Sequence, residues 1–237
     1  MLFSIWTPHA VLSNSFLWES IAWRIVEAQH VASTMKIVDT ADEQILLEKL
    51  LEGNKPDYVR GTEHLDYLLA TPFRYPTRKG GSRFRSFSEP GVFYAAESIK
   101  TAAAETGYWR WRFLQDALDL DQIEPVAHTA FQISVRAKVV DLRKEPFVSD
   151  GAWLSKTNYE PTQAFSRTAR EVGLGGIIYQ SVRNPEPSWC VAILAPDAFS
   201  DNKPNPIMQT WWLLVKQDEV VWRRDDQAII FKASYWV

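Results

Sequence analysis

The second half of the chain limits the possible folds more than any other part of the sequence. Short apolar or alternating runs, each typical of a β-strand, recur there at close intervals: 126–135, 137–142, 176–180, 189–195, 210–216, 219–223 and 227–232. One helical pattern interrupts them over 162–172 and ends at Gly173. Because a helix, a strand and a second helix come first, the order predicts an α+β fold with a mostly antiparallel sheet.

The first seventy residues are predicted to be helical. Asn14 or Ser15 can cap a helix that continues to about residue 30. A capping box at the start of 40–51 opens a second helix, and a short third helix is expected over 63–69, before Pro72.

No composition shift, repeat or low-complexity tract divides the 237 residues, so we expect a single domain over 1–237. Within it we predict a helical N-terminal extension at 1–70 that packs on the β core. The core itself is expected at 71–200, followed by C-terminal strands at 201–237.

A short strand at 92–95 and a long helix at 99–118, capped by Ser98, are predicted in the middle of the chain. Its expected core-facing stripe consists of Ile99, Ala102, Ala103, Thr106, Trp109, Arg110, Phe113 and Ala117. Glu105 lies about 100° from the centre of that stripe. The sequence therefore places a carboxylate on a rigid helix at the flank of its buried face.

A loop at 71–91, rich in Pro and Gly, has the densest positive charge of the chain. Its basic residues are Arg74, Arg78, Lys79, Arg83 and Arg85. The whole chain is weakly acidic, with 26 Lys and Arg against 29 Asp and Glu and a net charge of −3. Because non-specific binding to nucleic acid depends on neutralising phosphates, we expect no direct nucleic-acid partner, although a local basic pocket fits.

Cys190 is the single cysteine, so an internal disulfide is excluded, and its apolar surroundings at 189–194 predict a buried thiol. The first residues lack the basic and apolar regions of a signal peptide. No run reaches the roughly 18 apolar residues that a membrane helix needs. We therefore expect a cytoplasmic protein without a membrane partner.

Common nucleotide and metal motifs are missing from the sequence. There is no P-loop, and the glycines at 173–176 have the wrong spacing and position for a Rossmann turn. The four histidines are scattered through the chain, at His9, His30, His64 and His128, so no metal site is predicted.

Five segments, in this order, resemble those of the RES domain family, which is named for its Arg, Glu and Ser. They are an aromatic-Arg motif at 23–26, a Gly-x-Arg-aromatic turn at 81–84, a strand with Tyr-x-Ala at 91–97, a helix with glutamate at 101–105 and a strand with serine at 175–183. The resemblance covers roughly residues 20–200.

The resemblance implies the toxin of a bacterial toxin–antitoxin system. Its partner is then expected to be an antitoxin with an Xre-like helix-turn-helix domain. Members of the family consume NAD+ as a substrate, and their fold is similar to that of ADP-ribosylating toxins. Such enzymes bind NAD+ without a Rossmann unit, which agrees with the missing glycine motif.

Carried onto this sequence, the resemblance gives five candidate residues. Glu105 is the catalytic carboxylate, because a negative charge stabilises the oxocarbenium-like ribose formed when nicotinamide leaves. Arg83, and after it Arg24, are candidates for the pyrophosphate. Tyr94 is expected at the nicotinamide or ribose, and Ser181 at a ribose or phosphate oxygen. The resemblance thus implies Glu105, Arg83 and Ser181 as the catalytic residues. For Arg74, Arg85 and Arg183 we expect a solvated or structural role.

The acceptor of ADP-ribose stays open among a protein side chain, water and phosphate. Transferases that modify arginine carry a second glutamate two residues before the catalytic one, where this chain has Ala103. We therefore predict an acceptor other than arginine and favour a mono-ADP-ribosyltransferase of proteins over an NAD+ glycohydrolase or an NAD+ phosphorylase. The remaining alternatives are a non-catalytic nucleotide-binding module and, less consistent with the net charge, a nuclease.

Overall fold

A computed structural model describes residues 6–28, 38–75, 80–117 and 119–237. The described helices are α1 (Pro8–Ser13), α2 (Ala41–Gly53), α3 (Tyr67–Arg74), α4 (Ile99–Asp116) and α5 (Glu160–Glu171). The described strands are β1 (Phe16–Glu27), β2 (Phe93–Ala96), β3 (Gln122–Asp141), β4 (Gly176–Gln180), β5 (Trp189–Ile193), β6 (Met208–Lys216), β7 (Glu219–Arg224) and β8 (Gln227–Lys232).

All eight strands belong to one sheet in the order β1-β2-β5-β4-β3-β6-β7-β8. β1 also pairs with β3 along its whole length, from Phe16 opposite Val139 to Glu27 opposite His128. The strands β3, β1, β2, β5 and β4 therefore form a closed ring of pairings, and β6 to β8 continue from β3. Among the described strands, β3 and β4 are the only parallel pair, so the predicted α+β fold with a mostly antiparallel sheet is confirmed.

The buried side chains divide into two cores on opposite sides of the ring strands. One, which we call the ring core, takes side chains from all five ring strands and from α3, including Phe93, Phe131, Ile193 and Phe73. The other, the helix-side core, collects the opposite side of those strands together with α4, α5 and β6 to β8. Because successive strand residues alternate in direction, Ile193 lies in the ring core and Cys190 in the helix-side core, as expected for period-two geometry.

The predicted helix at 14–30 is wrong, because residues 16–27 form β1. A short helix, α1, ends at Ser13, and residues 29 and 30 lie outside the described residues. The apolar residues of this segment suit a helix face equally well. Long-range pairing with β3 decides the outcome, since it satisfies the backbone and packs Ala22 and Ile25 into different cores. The predicted helical extension at 1–70 therefore contains a ring strand.

Other elements match their predictions with shifted ends. The helix at 40–51, the strand at 92–95, the Ser98 cap and the helix at 162–172 are confirmed, with Gly173 in a left-handed conformation after α5. The predicted short helix begins later, at Tyr67, and includes Pro72. The strands predicted at 126–135 and 137–142 are one strand, β3.

The buried face of α4 matches the predicted stripe only in part. Ala102 and Ala103 are buried as predicted, whereas Trp109 and Phe113 are half exposed. A Cβ at Gly107 would lie 3.0 Å from a methyl carbon of Val220, so the absence of a side chain lets α4 approach β7 closely. The missing side chain at Gly107 thus allows this close packing, and two large aromatic residues of α4, Tyr108 and Trp111, are buried beside it.

Candidate functional site

Glu105 lies at the centre of a polar cluster on the helix-side core. It stands on α4 just after the buried Ala103 and is itself only partly exposed. The Ser181 hydroxyl donates a hydrogen bond to Glu105 Oε1 over 2.6 Å, although the two residues are 76 positions apart. Glu105 Oε2 has no hydrogen-bond partner among the described residues, so one carboxylate oxygen is held and the other is available.

Ser181 is oriented by the turn that follows β4. Its Oγ accepts the backbone N–H groups of Arg183 at 3.3 Å and Asn184 at 3.1 Å. With two donors on its lone pairs, the hydroxyl proton is directed to the Glu105 carboxylate. The serine is therefore arranged as a fixed hydrogen-bond donor to the Glu105 carboxylate.

Cys190 and Tyr179 form the buried floor below Glu105. Cys190 Sγ lies 3.9 Å from Glu105 Oε1, and the predicted burial of the thiol is confirmed. Burial, and then the negative charge of Glu105, raise the pKa of the Cys190 thiol well above its usual range. Burial likewise raises the pKa of Tyr179 well above its usual range. Both groups therefore stay neutral, and Glu105 has no charged neighbour on this side.

Arg83 stands in a tight turn between Ser82 and Arg85. Gly81 begins this turn at φ +70°, and a Cβ there would lie 2.3 Å from the Arg85 carbonyl oxygen, so only glycine fits. Arg83 is 8% exposed as a whole residue, and its guanidinium donates to the carbonyl oxygens of Trp153 at 3.0 Å and Ser155 at 2.9 Å.

The positive charge of Arg83 is not neutralised by a carboxylate among the described residues. Its guanidinium carbon lies 4.8 Å from the ring centre of Tyr159 and 6.0 Å from that of Tyr179. Since Glu105 and Arg83 influence the pKa of Tyr179 in opposite directions, this ring lies within reach of both charges. Arg83 and Glu105 thus both act electrostatically on one buried tyrosine.

Tyr94 holds the turn that carries Arg83. Its hydroxyl contacts Ser82 Oγ at 2.8 Å and accepts the Phe84 N–H at 3.0 Å. Burial raises the pKa of Tyr94, so it remains a neutral phenol. These contacts are those of a residue that orients the Arg83 turn.

Among the other candidates, the Arg24 side chain contacts Tyr94, and it does so through the Tyr94 backbone. Arg24 lies on the ring-core side of β1, with its guanidinium 4.5 Å from the ring centre of Phe93 and one nitrogen donating to the Tyr94 carbonyl oxygen at 2.6 Å. Burial lowers its pKa to about 10. It lines a cavity of about 60 Å³ beneath α3, which is separate from Glu105.

A comparison with known protein families identifies the family of the domain that contains these residues. A model of the RES domain matches residues 58–216, about two thirds of the chain. The chain belongs to the RES domain family. The match contains Arg83, Tyr94, Glu105 and Ser181, whereas Arg24 precedes it.

Comparison with solved structures finds a chain from the crystal structure of the M. tuberculosis MbcT–MbcA toxin–antitoxin complex. The likeness covers 94% of this chain and 89% of that chain, with 12% sequence identity and a TM-score of 0.46. Comparison with curated proteins gives no match.

Further side chains lie around the predicted site residues. Tyr159, Tyr179, Cys190 and Arg183 border the cluster, and none of them is predicted as a site residue. Tyr179 and Arg183 lie inside the serine-bearing motif at 175–183, which was the available signal. Tyr159 has no sequence signal, because its position depends on a loop that folds back from between β3 and α5.

Two other basic residues of the 71–91 loop, Arg85 and Arg74, bind main-chain carbonyl oxygens. Arg85 is buried and donates to the carbonyl oxygens of Glu89 and Tyr75. Arg74 donates to the Pro56 carbonyl oxygen. Arg78 and Lys79 lie outside the described residues. Across the described ranges, no group of three or more His, Cys, Asp or Glu could hold a metal ion, and no helix is long and apolar enough to cross a membrane.

Proposed function

We propose that this RES domain protein is the toxin of a toxin–antitoxin pair and cleaves the nicotinamide–ribose bond of NAD+. The observation that carries the proposal is the hydrogen bond between Ser181 and Glu105, since it joins two of the three residues for which the family is named. Arg83 lies near Tyr179, with its guanidinium carbon 6.0 Å from the centre of that ring.

The carboxylate of Glu105 supplies the charge that the reaction needs. As nicotinamide leaves, the ribose carbon and ring oxygen acquire positive charge, and a fixed anion stabilises the transition state more than the ground state. Ser181 fixes Oε1, so Oε2 can face the ribose without a change of rotamer. Tyr179 and Cys190, which lie beneath Glu105, are neutral and therefore do not offset its negative charge.

Arg83 is proposed to hold the NAD+ pyrophosphate. A guanidinium has five N–H donors, and the carbonyl oxygens of Trp153 and Ser155 use two of them. The others remain for phosphate oxygens, and the cation is already oriented before the substrate binds. Tyr94 then contributes by fixing the turn, while Arg24 contributes from the other side of β1 through the Tyr94 backbone.

A protein side chain is our proposed acceptor of ADP-ribose. Trp109 and Phe113 are 50% and 47% exposed and follow Glu105 by one and two turns of α4. An aromatic row of this kind beside a reactive centre suits the docking of a protein. The residue two positions before Glu105 is Ala103, which has no carboxylate and is fully buried. The missing second carboxylate supports an acceptor other than arginine.

The proposed partner is an antitoxin with an Xre-like helix-turn-helix domain. We infer that one of its segments blocks the approach to Arg83 and so prevents NAD+ from entering. In cells, Arg83→Ala is then expected to abolish toxicity while the protein remains folded.

The deciding experiment uses NAD+ labelled on its adenylate phosphate. Purified protein is incubated in buffer, in buffer with phosphate and in bacterial lysate, with Glu105→Gln in parallel. Label on a discrete protein band that depends on Glu105 is the expected result. Free ADP-ribose or its 1-phosphate without a band would replace the transferase with a glycohydrolase or a phosphorylase. Intact NAD+ in every arm, with NAD+ still bound, would indicate a non-catalytic binding module.

A further inference from the structure

Arg183 is a buried cation that the proposed reaction does not use. It is 2% exposed, and no carboxylate lies within ion-pair distance of it among the described residues. Its guanidinium carbon lies 3.4 Å from the ring centre of Tyr108, and one nitrogen donates to the Lys156 carbonyl oxygen and to the Tyr159 hydroxyl at 3.2 Å. A buried charge held only by neutral groups needs all of these contacts to offset its desolvation.

The partners of Arg183 are next to those of Arg83. Both arginines bind the loop at 153–159: Arg83 through the carbonyl oxygens of Trp153 and Ser155, and Arg183 through Lys156 and Tyr159. Tyr159 contacts both, because its ring lies against Arg83 and its hydroxyl accepts from Arg183. A displacement of this loop would therefore displace Arg83.

Residues 235 and 236, near the end of the chain, form hydrogen bonds with Arg183 and with the 153–159 loop. The Trp236 indole N–H donates to the Arg183 carbonyl oxygen over 2.8 Å, and Lys156 Nζ donates to the Tyr235 carbonyl oxygen over 3.1 Å. Trp236 also packs against Tyr108 of α4, with 5.7 Å between ring centres. One small cluster thus joins the helix of Glu105 to the loop that holds Arg83.

We propose that Arg183 is a positioning residue for Arg83, acting through Tyr159 and the 153–159 loop, so that it governs the affinity for the NAD+ pyrophosphate without touching the substrate. This inference rests on the proposed function for the nature of the ligand. It differs from a purely structural role in one respect: the effect of Arg183 on NAD+ affinity must disappear when Arg83 is absent.

The test is a double-mutant cycle on NAD+ binding. Every protein carries Glu105→Gln, so that NAD+ is not consumed, and calorimetric titration gives Kd for Arg183→Gln, Arg83→Gln and the pair. We expect Arg183→Gln to raise Kd about tenfold and to add nothing in the Arg83→Gln background. Effects that multiply in the double variant, or an unchanged Kd for Arg183→Gln, would overturn the proposal.

Two further proteins keep the test decisive. Arg170→Gln removes another arginine that donates to main-chain carbonyl oxygens, those of Leu194 and Gly91, and is the matched control whose Kd should stay unchanged. If Arg183→Gln does not fold, Tyr159→Phe removes only the hydroxyl that Arg183 binds. It is expected to raise Kd about threefold, again only when Arg83 is present.

A readout without NAD+ separates this proposal from the proposed function. The Nε–H resonance of Arg83 in an NMR spectrum, identified by its loss in Arg83→Gln, is expected to shift in Arg183→Gln and to stay in place in Arg170→Gln. Absence of NAD+ binding in every protein would contradict the proposed function, while this resonance would still decide the link between the two arginines. An unmoved resonance would overturn the link.

Discussion

The ring core and the helix-side core share the same five strands but differ in chemistry. The ring core is built from aliphatic and aromatic side chains such as Phe131, Ile133 and Ile193. On the other side of the same strands lie Glu105, Arg83 and Ser181, together with buried hydroxyl and thiol groups. Strand alternation thus separates the packing that stabilises the ring from the polar groups that surround the candidate site.

This difference between the two cores predicts whether a substitution changes stability or activity. Removing atoms from the ring core should lower the free energy of unfolding, because a cavity replaces good packing. Removing polar groups from the helix-side cluster should mainly change binding and turnover, because these groups are held by mutual hydrogen bonds whose net contribution to stability is small.

The largest effect is expected from Glu105→Gln. Glutamine keeps the shape and can still accept from Ser181, but it lacks the charge that we propose stabilises the ribose cation, so kcat should fall about 10³-fold. Nicotinamide release measures this, and Glu186→Gln, an exposed carboxylate paired with Lys100, is the control. Wild-type turnover in Glu105→Gln would remove this residue from the chemistry.

On the ring-core side, Ile193→Ala should lower the free energy of unfolding by about 3 kcal/mol. The side chain is fully buried, so its loss leaves a cavity, whereas Ile230→Ala on an exposed position should cost little. Urea unfolding measures both. The kcat/KM of the folded fraction should remain unchanged, and a large loss of activity without loss of stability would contradict the separation of the two sides.

A smaller effect is expected from Tyr94→Phe, which leaves the Phe84 N–H without its acceptor. Because this bond orients the Arg83 turn, NAD+ should bind about tenfold more weakly. Titration in the Glu105→Gln background measures the change, with the exposed Tyr67→Phe as control. An unchanged Kd would show that the turn keeps its geometry without the hydroxyl.

The smallest effect concerns alkaline pH. The pKa of Cys190 is raised in the folded protein, so the stability due to its neutral thiol is fully present below the unfolded pKa of about 8.5 and is lost as pH rises toward the folded value. In wild type, unfolding between pH 8.5 and 10 should become easier by roughly 1 kcal/mol per pH unit. Cys190→Ala should lack this slope, and equal slopes would contradict the assignment.

The sequence predicted the fold class and most of the later strands, because alternation and turn residues are local signals. It failed at β1, whose strand conformation depends on β3, more than a hundred residues away. Glu105 and Ser181 are readable as motif residues, but their contact is not, since it requires α4 and β4 to meet. Tyr159 was missed because its position follows from the tertiary path of a loop. The roles of Arg83, Arg24 and Tyr94 in binding NAD+ stay predictions.

The pairing of β1 with β3 also bears on how this protein emerges from the ribosome. The paired residues of β1 and β3 are 123 positions apart in the sequence at Phe16 and Val139, and 101 positions apart at Glu27 and His128. Contacts of such separation form slowly, and the ring cannot close until β3 has been synthesised. Because β4 and β5 follow β3 in the sequence, the ring closes only when β5 is complete, and a nascent chain that ends before residue 181 also lacks the serine that contacts Glu105.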